Sequence, residues 1–336
     1  MVDDRDVRDS KKSRRSSAAR PLHGAAIMQR SNSFIPLTVF TTIVAVGGCT
    51  SPTDDEEPQV VMTANGALQT CRKLEWGMHW KDEFENGTTL DTSRWNPWDR
   101  VVNEADTVQK PGLVRIHDGV LRLAARNEEG CAGFPWTGAG PVQCRPYTGA
   151  GLHTYGKFWT GKYFKAEVRA KVSQEKGLFG APLWFRPTKE LGPTENIGGE
   201  IDVVEVLGKE KTPKFHMTLH PDYADTTSKP VHVAKKFEDV GDKAGTEFHD
   251  YTVEKVPNGI TIWVDGKHAG GWGCGSRAND PLPPYYEAAF EVPTAWTVRI
   301  DNKVGGNWAG PPNGNTDWGL AAAQKIKYIK VWRPKP

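Results

Sequence analysis

Gly199-Glu200-Ile201-Asp202-Val203-Val204-Glu205-Val206 places three carboxylates within six positions of a run otherwise built from Ile and Val. Ile and Val at that density favour a strand, and side chains along a strand alternate faces with period two. In a flat strand Glu200 and Asp202 share a face and Glu205 points the other way, among Ile201 and Val203. An ionised carboxylate left among apolar side chains is costly. One extra residue at Val203-Val204, a β-bulge, shifts the parity. It puts all three acids on one face and leaves Ile201, Val206 and one of the two valines on the other. Carboxylates aligned in this way repel, so at least one of them should hold its proton to higher pH. One ionised and one protonated carboxylate are what cleavage of a glycosidic bond requires. Read alone, the stretch is equally an amphipathic strand with a charged, wet outer face.

The rest of the chain supplies the context. It has 336 residues, with 13 Trp, 35 Gly and 24 Pro. Turn formers recur throughout and helical periodicity is scarce, which predicts many short strands. Net charge is +2 with acids and bases interspersed, so nothing points to a nucleic-acid partner. Alternation is cleanest in 163–172, where Phe164, Ala166, Val168, Ala170 and Val172 face one way. Val114-Arg115-Ile116-His117 and Val120-Leu121-Arg122-Leu123 read as a hairpin around Asp118-Gly119. Further strands are expected at 181–187, 214–220, 248–254, 259–264, 285–290, 297–300 and 325–332. Strands at this spacing over 71–336 suggest a two-sheet sandwich.

The first seventy residues read differently. Residues 1–27 are basic and polar and look like an over-extended start. An apolar run at 34–48 follows Met28-Gln29-Arg30; it is too short to span a bilayer comfortably and has the size of a signal-peptide core. The run ends in Val46-Gly47-Gly48-Cys49, which resembles a bacterial lipobox, so 28–49 is expected to be a signal peptide with Cys49 lipidated and anchored to a membrane. The acidic, Pro-flanked stretch within 50–70 reads as a linker. Four further cysteines, Cys71, Cys131, Cys144 and Cys274, suit two disulfides in an exported chain, with three connectivities open. The expected pairs are Cys131 with Cys144, closing a Gly/Pro-rich loop, and Cys71 with Cys274; free buried thiols are the alternative.

In Lys214-Phe215-His216-Met217-Thr218-Leu219-His220, the apolar residues alternate with His216, Thr218 and His220. His-x-x-x-His invites a metal reading, but the segment is strand-like, and a histidine beside the carboxylates more naturally holds one by a hydrogen bond. No metal is assigned. The sequence contains no nucleophile elbow, phosphate-cradling loop, dinucleotide fingerprint or zinc-protease motif.

Together these landmarks resemble glycoside hydrolase family 16, in particular its laminarinase-like endo-β-1,3-glucanases. The carriers are Glu200-Ile201-Asp202-Val203-Val204-Glu205, Asp82-Glu83-Phe84, Leu90-Asp91-Thr92-Ser93-Arg94-Trp95-Asn96, Trp184, Val264-Asp265-Gly266 and Val304-Gly305-Gly306-Asn307-Trp308. The resemblance implies an all-β, curved jelly-roll sandwich of the concanavalin A-like kind with an open groove for a polysaccharide. It implies a retaining hydrolysis with Glu200 as nucleophile, Glu205 as acid/base and Asp202 between them as the assisting residue. It carries over Trp184, His220, Asn96, Asn307 and Trp308 as substrate contacts. No cofactor is required, although a structural calcium is compatible with the family, and an extracellular or surface-tethered monomer is expected. The chain departs from the pattern in three places. The strand before Gly305-Gly306, usually apolar, reads Arg299-Ile300-Asp301-Asn302-Lys303. The usual Glu-Trp after the histidines reads Glu254-Lys255, and the usual Phe-Trp-Met reads Leu183-Trp184-Phe185-Arg186. These departures bear on substrate, because galactan hydrolases and transglycosylases share the bulged motif and a non-catalytic sugar-binding jelly roll shares the fold.

Overall fold

The computed structural model describes residues 60–62, 68–85, 87–133, 141–187, 198–222 and 225–336. The expected start, signal peptide and Cys49 lie outside them. Within the segment read as a linker, Val60–Met62 pairs antiparallel with Leu68–Thr70.

Two large sheets form the domain. One runs in the order Val231–Lys236, Lys214–His220, Glu200–Leu207, Leu178–Pro187, Trp296–Val304, Tyr147–His153, Thr107–Gln109 and Arg100–Val101. The other runs Lys267–Gly273, Gly259–Val264, His249–Val256, Phe164–Lys171, Gln324–Pro334, Val120–Leu123 and Val114–His117. One apolar core takes side chains from both, including Phe164, Val168 and Ile329 from the second sheet and Phe185, Ile201 and Ile300 from the first. This is the expected all-β jelly-roll sandwich, with strands alternating toward a shared interior.

The second sheet follows the sequence pattern closely. Phe164, Ala166, Val168 and Ala170 are fully buried while the residues between them face outward. The Asp118-Gly119 hairpin forms with both turn residues at positive φ, 53° and 66°, as a tight two-residue turn requires. The stretch 285–290, expected to be strand, instead carries a short π-helical turn, Glu287–Glu291. It puts Glu291 against Tyr163, Lys162 and the Asn258 amide, a set of polar partners on three separate segments that no local pattern could announce. Both expected disulfides are present. Cys131–Cys144 staples the hairpin of Gly130–Ala132 with Gln143–Arg145, and Cys71–Cys274 ties the start of the domain to residues 203 positions away.

The first sheet is buried on both faces at its centre. Every residue of Leu178–Pro187 and of Trp296–Val304 is buried. Pro182 interrupts a central strand, where its missing N–H would break the ladder. The register against Trp296–Val304 slips there: Ala181 pairs with Asp301 and Trp184 with Arg299, three residues matched by two. A proline in a central strand is tolerated because it sits in a bulge.

Candidate active site

The carboxylate strand carries its own bulge. Against Lys214–His220, Glu200 pairs with His220, Asp202 with Thr218 and Glu205 with His216, so three steps along one strand match two along the other. The extra residue falls at Val203-Val204. Both valines, with Ile201 and Val206, are fully buried in the shared core, not one valine as the parity argument held. A bulge turns two successive side chains to one side, and here both go inward. Glu200, Asp202 and Glu205 are left together on the opposite face, lining a groove of about 460 Å³. The two bulges, at Pro182-Leu183 and Val203-Val204, lie on adjacent strands with Leu183 paired to Val204.

The carboxylates have distinct surroundings. Glu200 takes an ion pair from Arg186 Nη1 at 3.3 Å and has His220 Nε2 at 3.9 Å. Asp202 is held by His220 Nε2 at 3.0 Å. Burial, and then the charge of Glu200, pushes the Asp202 carboxyl up to about 6, with His220 opposing the rise. Burial alone would lower His220, but its contacts with Asp202 and Glu200 raise it to about 9, so the imidazole is a cation at neutral pH. Glu205 is buried and accepts one hydrogen bond, from Thr218 Oγ1 at 3.3 Å. Burial, followed by the neighbouring Asp202 charge, pushes its carboxyl well above the usual range, against the pull of Lys303. The cluster therefore separates into a glutamate facing two cations and a glutamate that keeps its proton. That division of labour is what acid-assisted displacement at an acetal carbon needs.

Aromatic rings line the groove beside the acids. Trp184 lies in the floor, packed near Trp98 at 5.9 Å between ring centres. Trp308, on the short helix Gly306–Ala309, is 37% exposed at the rim, edge-on to Phe179 at 5.3 Å. Such faces suit the C–H surfaces of sugar rings. His220 lines the groove, whereas His216 bonds Glu210 at 3.2 Å and stacks on His232. Asn96 and Asn307 lie apart from the groove lining. Asn96 donates Nδ2 to the Tyr155 carbonyl at 2.6 Å, and Asn307 is exposed on the short helix.

The motif did not reveal several other groove residues. Arg100, Glu104, Arg186, Arg299, Lys303 and Phe179 all line it. The signal available for Arg299 and Lys303 was the polar run in an otherwise apolar strand position. Arg100 and Glu104 carry no comparable signal, because they reach the groove from a loop near the start of the domain. Among the described residues, the polar atoms of Glu200, Asp202 and His220 lie within 4.8 Å of one another, close enough to share a cation. Glu129, Cys131 and Cys144 also converge, but both sulfurs are consumed in a disulfide.

Comparison with known proteins agrees with this geometry. The profile of glycosyl hydrolases family 16 matches residues 102–280. The chain is similar to glucan endo-1,3-beta-glucosidase A1 of Niallia circulans, 24% identical over 339 residues, covering 93% of this chain and 45% of that protein. It thus spans less than half the length of that relative. It is also similar to the beta-glucanase of Rhodothermus marinus, 26% identical over 286 residues, covering 80% of this chain and 89% of that one. Among solved structures, the catalytic domain of an endo-1,3-beta-glucanase (laminarinase) from Thermotoga petrophila RKU-1 has the same fold. Its TM-score is 0.61 at 23% identity, over 79% of this chain and 100% of that chain. With more than half of its 336 residues matched by the profile and three carboxylates aligned across a bulge, the chain belongs to glycosyl hydrolases family 16.

Proposed function

We propose that this chain is a retaining endo-hydrolase of a β-linked glucan, with β-1,3-glucan of the laminarin type as its substrate. The observation that carries the reading is the pairing of Glu200 with Arg186 and His220 while Glu205, on the same face, is buried with one weak donor. Glu205 donates its proton to the glycosidic oxygen as the carboxylate of Glu200 attacks the anomeric carbon. The C–O bond breaks, the leaving chain departs as an alcohol, and the sugar is held as an ester of Glu200. Glu205, now ionised, takes a proton from water, whose oxygen attacks the same carbon and frees Glu200. Two inversions give net retention, which requires the two carboxylates about 5–5.5 Å apart. Asp202, clamped by His220, holds negative charge between the two glutamates and so resists ionisation of Glu205. The similarity to a glucan endo-1,3-beta-glucosidase and a beta-glucanase supports the glucan assignment.

Reducing-sugar release from laminarin, lichenan, agarose and carrageenan, measured side by side, tests the substrate; faster release from a galactan would overturn it. Trapping with an activated fluorosugar should label Glu200, and a label on Glu205 would reverse the roles. The two disulfides support a site of action outside the reducing cytosol. Lipidation at Cys49 would tether the enzyme to the cell surface, and a mature chain from cells beginning at any other residue would refute it.

A further inference from the structure

The strand Trp296–Val304, expected to be apolar, buries four polar or charged side chains: Arg299, Asp301, Asn302 and Lys303. Burying such groups is unfavourable unless each meets a partner. Asp301 is the hub. Its Oδ1 accepts from Gln109 Nε2 and lies 3.9 Å from Arg100 Nη2, and its Oδ2 lies 3.4 Å from Lys303 Nζ. Gln109 in turn accepts from Arg100 Nε at 2.6 Å. The same Lys303 ammonium donates to Glu104 Oε1 at 2.9 Å. The side chain of Glu104 is 58% exposed, so one end of this pair is anchored in the sandwich and the other sits on a surface loop.

That loop is a wall of the groove. Val101, Val102, Asn103 and Glu104 line it opposite the carboxylate strand. The loop lies directly on the two glycines after the strand. The Gly306 amide donates to Asp106 Oδ2 at 2.9 Å, and a side chain on Gly305 or Gly306 would collide with Asp106 or with the Glu104 carbonyl. Both glycines also hold positive φ, 76° and 78°. The loop base is tied by Asp106 N to the Val304 carbonyl at 2.9 Å and Val102 N to the Thr107 carbonyl at 3.0 Å. Among the described residues, the side-chain tie that reaches the tip from the groove floor is Glu104 to Lys303.

We propose that Glu104 and Lys303 form a latch that fixes the wall 101–104, and that this wall sets how many sugar rings the groove engages on that side of the cleavage point. Both are positioning residues. Lys303 stands between Glu104 and the rings of Phe179 and Trp184, 4.6 and 5.8 Å from its ammonium, so the latch also fixes the floor under a bound chain. A flexible wall would still permit cleavage of long polymers, which gain contacts elsewhere, but would lose grip on short ones. The specificity half of this proposal rests on the reading of the chain as a glucan endo-hydrolase; the latch half does not.

The experiment compares the full chain with Glu104→Gln, Lys303→Met, the double variant and Lys303→Arg. Hydrogen exchange of the Val102 and Asp106 amides reads the latch without substrate. It should quicken by about tenfold in Glu104→Gln and in Lys303→Met, and return toward wild type in Lys303→Arg. A ladder of β-1,3-gluco-oligosaccharides reads specificity. KM for the shortest oligomer cleaved should rise by about fivefold in each single variant, with kcat of Glu104→Gln within about twofold, and the double variant should match the singles. Unchanged exchange in Glu104→Gln overturns the latch. Faster exchange with the wild-type product lengths overturns the specificity role. If the wild type leaves β-1,3-glucan intact, the glucan reading falls, and the ladder is drawn from the polysaccharide it does cut.

Discussion

The two sheets handle charge in opposite ways. On the outer face of the second sheet, Lys165 pairs with Glu254 at 3.2 Å and Arg169 with Asp250 at 2.8 Å, all of them partly exposed to water. Pairs of that kind contribute little to stability, and their strands keep a clean alternation. On the groove face of the first sheet, Asp202, Glu205, Arg299, Asp301 and Lys303 are buried. There the same residue types are desolvated, shift one another's proton affinities and depend on exact partners. One sheet is built to be stable and the other to hold charges that stability alone would not choose.

This contrast predicts a graded series of effects. The largest is on chemistry. Glu200→Gln should lower kcat by about 10⁴-fold or more with an unchanged circular dichroism spectrum, because it removes the nucleophile and leaves the shape. Appreciable turnover of that variant would refute the assignment. Deleting Val204 should be nearly as severe, since it removes the bulge and turns Glu205 toward the core. Restored turnover would show that the strand re-registers without it.

A smaller effect concerns His220. Its folded value of about 9 lies above its ordinary 6.5, so its stabilising contribution is complete below pH 6.5 and is lost as pH rises through 9. The loss amounts to at most about 3 kcal/mol, and His220→Asn should flatten that part of a melting-temperature profile. An identical slope in both proteins would remove the ion pair with Asp202 from the account.

In the second sheet, truncation should act on stability and not on chemistry. Val168→Ala empties a fully buried position and should cost about 2 kcal/mol in denaturant unfolding, with kcat per folded molecule unaltered.

The mildest expected change has the opposite sign. Lys255 is buried among Tyr163, Trp296 and Glu291, with its ammonium 3.9 Å from Glu291 Oε1. Burial holds it down to about 8, below its ordinary 10.5, so the charged form destabilises the fold most below pH 8 and less as pH rises toward 10.5. Glu291 keeps Tyr163 and Lys162 as partners. Lys255→Met should therefore stabilise the protein at neutral pH by about 1 kcal/mol, with the gain fading in alkali. A loss of stability at neutral pH would show that the ammonium is needed where it is.

Legibility in the sequence follows the same division. The strand Phe164–Lys171 was readable because one face is wet and one is dry, which is the condition for period-two alternation. The carboxylate strand was readable because three acids in an Ile/Val run break that period in a way a single bulge repairs. Its detail needed the fold: the parity argument turned one valine inward, and the bulge turns in both. The strands Leu178–Pro187 and Trp296–Val304 show no alternation at all, since both of their faces are covered. Asn96 could not be separated from a sugar ligand by sequence; its amide is occupied by the Tyr155 carbonyl, 59 residues away.

The sequence by itself determined the all-β class, the pairing of acids across a bulge, the two expected disulfides and the family, because these rest on local period, residue chemistry and short spacings. Tertiary structure alone decided which histidine serves the acids, that Arg186 faces Glu200, and that Glu104 reaches Lys303 across 199 positions. Those contacts join segments far apart in the chain, and a buried charge acquires its role only from the partners that folding brings within reach.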